Sequence, residues 1–365
     1  MLKVIFLSCF GLGVLLLWIH IEFLEQEINT SKLINHEFLL EQTSLTPPDP
    51  EVTDCRDLLE KFKAKEIDIM NNHTERNLLY QSYSRLTNTA KPFYVSTHHR
   101  EIDHVRSDVM KYGYYYEKQL TKRVIEIFEE KAKRNEKSIF LDVGGNIGWF
   151  SLVAAQHGAS QVYTFEPNLM NTVRFCESLS LNNWLRDEPA ENFIFPISKG
   201  AGDTNVALHL RNTGDPRNPG SFSFYVDPKR EESFSEEISQ VPIEVTTLDS
   251  FAERHGWFKS RPSIGLFKLD VELFELKVMQ GARKLLGSGL VEKIAMEFKK
   301  DHEKAAKEGI LQILFEANYE LYKHGGLMGP HKNVTKTYSH WKELFDDVEK
   351  DMYGENVMFR KKSEV

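Results

Sequence analysis

From about Phe93 onward the apolar positions recur with the spacings of a folded domain, and their period changes along the chain. Leu120, Val124, Ile127 and Phe128 share one face of a helix predicted to end near Arg134. Short apolar runs follow at 138–143, 161–166, 193–198, 265–270 and 293–298, with the length and composition of buried strands. Helical patterns lie between most of them, including 170–181 and 275–286, and a helix over 304–318 with strands over 319–324 and 356–361 closes the series. This alternation predicts an α/β fold, a mainly parallel sheet covered by helices on both faces. Residues 203–248 interrupt it with Gly, Pro and Asn and strand-like pieces, and read as an insertion over a ligand crevice.

The N-terminal pattern is of another kind. Residues 4–21 are apolar apart from His20 and a few small or weakly polar side chains, and at about 1.5 Å per residue they just span a thin bilayer. Lys3 precedes the run and Glu22, Glu25 and Glu27 follow it, which predicts a type II anchor with residues 1–3 cytoplasmic and the body luminal in the secretory pathway. Secretion after cleavage is the alternative. Sequons at Asn29, Asn72 and Asn333 fit that location. Residues 22–92 are polar, stiffened by Pro47, Pro48 and Pro50, and read as a stem, leaving 93–365 as the domain.

Composition narrows the field. A net charge of -8 argues against a nucleic-acid partner bound through phosphate neutralisation. With 41% hydrophobic and 12% aromatic residues in 365, most of the chain folds. Cys9, Cys55 and Cys176 form neither a metal-ligand spacing nor a disulfide framework, Cys176 reads as a core residue, and no metal site is expected at His98–His99. Oligomeric state is not legible.

The chemistry concentrates where the first strand runs through Asp142 and Val143 into Gly144, Gly145, Asn146, Ile147 and Gly148, and then into an apolar helix. Glycines at a strand-to-helix turn let the backbone approach a ligand and aim helix N–H groups at it. Asn146 occupies the second-glycine position of a dinucleotide fingerprint, which disfavours a nicotinamide oxidoreductase; D-x-G-x-x-x-G admits the methionine and ribose of S-adenosylmethionine instead. Glu166, at the tip of the next strand, is placed to accept ribose hydroxyls, with Asn168 two residues on. Lys268, Asp270 and Glu272 alternate with apolar neighbours at the end of a central strand, where burying charge is costly unless a site uses it.

FLDVGGNIGWFSL, VYTFEPN, LFKLDVELFELKVMQGA and IAMEF, in that order, resemble the FkbM family of S-adenosylmethionine-dependent O-methyltransferases, over roughly residues 112–298 and including Tyr116–Glu117. Gly145 stands where alanine is more usual, and Leu273 where the family has glycine after D-x-E. The resemblance implies a Rossmann-like class I methyltransferase fold with a seven-stranded sheet, and S-adenosylmethionine as cofactor held by Asp142, Gly144, Gly145, Asn146, Gly148, Glu166 and Asn168. It further implies catalysis by Asp270 as first-choice base, with Glu272 second, Lys268 beside them and Glu297 facing the same crevice. The luminal location points to a hydroxyl of a glycan or small polyol as acceptor. A scaffold that has lost turnover is the alternative that Leu273 raises.

Overall fold

The computed structural model describes residues 51–64, 81–99, 116–185, 193–212, 222–224, 242–298, 302–325, 331–350 and 356–362. The expected anchor at 4–21, Asn29 and Asn72 lie outside them. Among the described residues no helix is long and apolar enough to cross a membrane.

Helix α1 (Cys55–Lys63) starts at Asp54, whose carboxylate accepts the Arg56 and Asp57 N–H groups. Strands β1 (Tyr83–Leu86) and β2 (Tyr94–Thr97) pair antiparallel. The α/β alternation then runs through α2 (Lys118–Lys133), β3 (Ile139–Val143), α3 (Trp149–Gln156), β4 (Gln161–Phe165), α4 (Leu169–Leu181) and β5 (Ile194–Ile197). Next come β6 (Gly200–Ala201), β7 (Val206–Leu208), β8 (Arg211–Asn212), β9 (Phe222–Ser223) and β10 (Ile243–Thr246). After α5 (Leu248–Arg254) and α6 (Trp257–Ser260) the alternation resumes with β11 (Ile264–Leu269), α7 (Glu275–Gln280), α8 (Arg283–Gly287), β12 (Lys293–Glu297) and α9 (Lys304–Glu316). The chain closes with β13 (Tyr319–Gly325), β14 (Lys332–Asn333), α10 (Trp341–Glu349) and β15 (Asn356–Lys361).

One sheet has the order β14-β13-β15-β12-β11-β3-β4-β5. Strands β5, β4, β3, β11 and β12 are parallel, and β15 runs antiparallel between β12 and β13. The strand order reverses between β3 and β11, which opens a crevice at their carboxyl ends. Alternate residues serve the two faces: Ile139, Leu141 and Val143 pack into one apolar cluster, Phe140 into the other. The sheet has eight strands where seven were expected, because the two-residue β14 pairs with β13 and is too short to leave a periodic signature.

Three further expectations are corrected. Cys55 and Cys176 form a disulfide with a Cα–Cα distance of 5.2 Å, tying α1 to α4 across 121 positions. That pairing was invisible because the partners are remote in sequence and lie on two helices. Second, parts of the expected stem belong to the fold. Thr53 N–H donates to the Pro196 carbonyl at 2.8 Å, Glu51 receives two bonds from the Arg254 guanidinium, and Cys55, Leu58 and Phe62 are buried in the core. Third, the helix expected over 275–286 is two, broken at Gly281, where a Cβ would come within 1.8 Å of the Gly202 carbonyl oxygen. Within the insertion, β6, β10 and β7 form a small sheet, and buried Phe224 packs on Phe274 with ring centroids 5.6 Å apart.

Candidate functional site

The sheet register puts the ends of four strands on one level. Val143 pairs with Phe165 and with Leu269, and Leu269 pairs with Met296, so Gly144, Glu166, Asp270 and Glu297 are the next residues in line across the crevice. Gly144 takes φ +82°, and a Cβ there would fall 1.6 Å from the Asp270 carbonyl oxygen. Gly144 and Gly145 both donate their N–H to the Phe165 carbonyl at 3.0 Å. Gly148 also has φ +82°, and its missing Cβ makes room for Phe175. Gly145 matches Thr164: the alanine usual in the resembling family would put a Cβ 2.1 Å from the threonine Cγ2. Glycines therefore leave a turn with no side chain at its tip, Gly144 being only half-buried.

Beneath the turn lies a charged triad. Asp142 is fully buried, its Oδ2 accepting from Ser151 Oγ at 2.7 Å and its Oδ1 lying 3.4 Å from Lys268 Nζ. Lys268 donates to the Gly144 carbonyl at 2.9 Å, stands 3.5 Å from Asp270 Oδ2 and covers the Phe150 ring at 5.2 Å. Burial lowers the affinity of this ammonium for its proton, but Asp142 and Asp270 more than restore it, so Lys268 stays charged. Burial also raises the Asp142 carboxyl above its usual range, against the pull of Lys268. Asp142 and Lys268 thus support the turn from below, and both side chains are buried.

Glu166 clasps the turn from the side. Its Oε2 accepts the Asn146 N–H at 2.7 Å, and its Oε1 accepts the Asn168 N–H at 2.8 Å and Asn171 Nδ2 at 3.2 Å. Burial pushes its pKa up to about 7 in spite of these donors. Three donors leave acceptor capacity on a carboxylate with about four lone-pair sites. Asn168 caps α4, accepting the Met170 N–H at 3.1 Å. Asn146 holds a left-handed φ of 50°.

On the opposite rim, Asp270, Glu272 and Glu297 are half-buried. Tyr116, half-buried ahead of α2, faces them: burial first, then Glu117, Asp270 and Glu297, keep its phenol protonated. Leu273 adopts φ +73°, the conformation a glycine would take at that position. His98 is buried, its Nε2 at 2.9 Å from Asn171 Oδ1, which links it to Glu166. Among the described residues no group of three or more His, Cys, Asp or Glu is placed to hold a metal ion. Asn171, Ser151 and Thr164 were not foreseen as parts of the site. Ser151 had left one signal, a hydroxyl within the apolar run Trp149–Ala155.

Residues 142–321, from the buried Asp142 through β13, match the family model described as methyltransferase FkbM domain. The chain carries an FkbM domain. Every foreseen site residue lies within it, and Tyr116 and Glu117 stand just before it. Solved structures with a similar chain path include FkbM methyltransferase from Methylobacillus flagellatus, at 16% identity over 62% of this chain and 44% of that one, TM-score 0.35. A putative SAM-dependent methyltransferase from Streptococcus mutans matches at 11% identity over 76% of this chain and 54% of that one, TM-score 0.37. A putative methyltransferase complexed with SAH matches at 10% identity over 76% and 55%, TM-score 0.33. The chain spans less than two thirds of the length of each of these. No curated protein matches it.

Proposed function

We propose that this chain is an S-adenosylmethionine-dependent O-methyltransferase, anchored by residues 4–21, with its FkbM domain luminal and a hydroxyl of a glycan or small polyol as acceptor. The observation that carries the reading is the side-chain-free turn at Gly144, flanked by Glu166 and Asp270 at the reversal of strand order. The residues fit the cofactor: Gly144 leaves the tip of the turn without a side chain, and Glu166 keeps an acceptor site for ribose hydroxyls. When bound, the sulfonium supplies an activated methyl group.

The protein's part is orientation and proton removal. An acceptor hydroxyl held at this rim would give up its proton to Asp270, whose neighbour Lys268 remains a cation, while the bound sulfonium would supply the methyl group. Glu272 and Glu297 line the same rim, beside the protonated phenol of Tyr116, which is hydrogen-bonded to Glu117. Leu273 does not argue for lost turnover, because the strap already holds the left-handed conformation that glycine would supply. Asn146 in place of the second fingerprint glycine keeps a nicotinamide dinucleotide disfavoured.

The disulfide supports the luminal placement, since such bonds persist in oxidising compartments. Calorimetry with S-adenosylhomocysteine tests the cofactor, and transfer of labelled methyl to a glycan and polyol pool tests the reaction. Binding that Glu166→Ala weakens, with transfer that Asp270→Ala lowers at unchanged affinity, is the expected result. No heat with the demethylated cofactor would remove the reading, and full transfer by Asp270→Ala would remove the base.

A further inference from the structure

The strap between β11 and α7 carries two consecutive non-glycine residues in the left-handed region, Glu272 at φ 54° and Leu273 at φ 73°. Such a conformation persists only where surrounding contacts impose it. One end of the strap is fixed by the sheet, where the Asp270 N–H donates to the Val143 carbonyl at 3.0 Å. The other end is held by Glu275, at the start of α7, whose Oε1 accepts the Val271 N–H at 3.0 Å.

That carboxylate has a second engagement that a local turn does not require. Glu275 Oε2 lies 2.6 Å from His302 Nε2, and both side chains are only 1% exposed. His302 comes from beyond the exit of β12, and its ring stacks on Phe298 with centroids 5.8 Å apart and planes at 20°. The strap itself rests on the glycine turn: a Cβ on Gly144 would meet the Asp270 carbonyl at 1.6 Å and Val271 Cγ1 at 3.3 Å.

We propose that Glu275 and His302 are positioning residues, a buried clamp that presses the 270–273 strap onto the Gly144 turn and thereby sets the grip on S-adenosylmethionine and the aim of Asp270. The cofactor part rests on the function proposed above. The chemistry suits a clamp. A carboxylate is the one side chain that takes a backbone N–H on one oxygen and an imidazole N–H on the other, and a buried carboxylate is costly unless both are satisfied.

Amide hydrogen exchange over residues 271–275 and calorimetry with S-adenosylhomocysteine, on the full chain, test this together. Glu275→Ala is expected to speed exchange in the strap and to raise the Kd by about tenfold. Glu275→Gln keeps a carbonyl oxygen for Val271 N–H and can donate its amide N–H to His302 Nε2 in the other imidazole tautomer, so it should restore both to within about threefold of wild type. His302→Phe keeps the stack on Phe298 but loses the ring N–H, and should fall with the alanine variant. Unchanged strap exchange in a folded Glu275→Ala chain overturns the clamp, as does a glutamine variant no better than alanine. A wild-type chain that binds no S-adenosylhomocysteine removes the cofactor reading, while the exchange comparison still decides the clamp.

Discussion

Glu166 combines two demands that pull against each other. As a fastener it accepts from Asn146, Asn168 and Asn171; as a ribose acceptor it serves best ionised, yet burial raises its pKa to about 7. The sign follows directly. Below about pH 7 the folded protein holds this carboxyl mainly protonated, so its affinity for S-adenosylhomocysteine should rise by about tenfold between pH 6 and pH 8. Calorimetry at the two pH values checks this, and Glu166→Gln should bind weakly with no such slope. The same shift makes the charged form costly to the fold, so this group's contribution to stability is largest below its ordinary value and falls as pH rises through about 7. The acid itself was legible as a charge at the tip of an apolar strand. Its partners were not, because the Asn146 N–H reaches it only after β3 and β4 pair, and Asn171 reaches back to it only once α4 has formed. Likewise Asp142 and Lys268 were legible as charges in apolar strands, whereas their orientation beneath the turn depended on which sheet face each occupies.

Strands and helices of the sheet could be located because burial on both faces leaves long apolar runs with intervening amphipathic turns. Helix α1 could not be assigned to the fold. Its core contacts come from Cys55, Leu58 and Phe62, too few to outweigh a charged surface in the sequence pattern. The covalent tie to α4 compensates for that small apolar face, and α4 follows directly on Glu166 and Asn168. Closing a loop this long stabilises a fold by about 3–5 kcal/mol through the unfolded state. Replacing Cys55 and Cys176 together by serine should lower the unfolding free energy by an amount of that order, read by denaturant titration. A change below about 1 kcal/mol would mean that α1 docks without the bond. Gly281 shows the opposite case: continuous helical periodicity hid a break that only the close approach of Gly202 imposes.

The proposed secretory placement draws on a basic residue before the apolar run and acidic residues after it, a buried disulfide and a sequon on an exposed strand. Asn333 is exposed on β14, so chain passed through the secretory pathway should carry an N-linked glycan there. Peptide N-glycosidase should lower its apparent mass, and Asn333→Gln should remove one increment of that shift; an unmodified Asn333 in such material would argue against luminal exposure of this edge. The net charge of -8 suits neutral or cationic acceptors better than phosphorylated ones. The Cys55–Cys176 bond also governs how activity can be sought. Protein made in a reducing bacterial cytosol would have α1 attached by packing alone, next to the helix that follows Glu166. Silence from such a preparation would report on its manufacture, and an assay of the enzyme should begin from oxidised material.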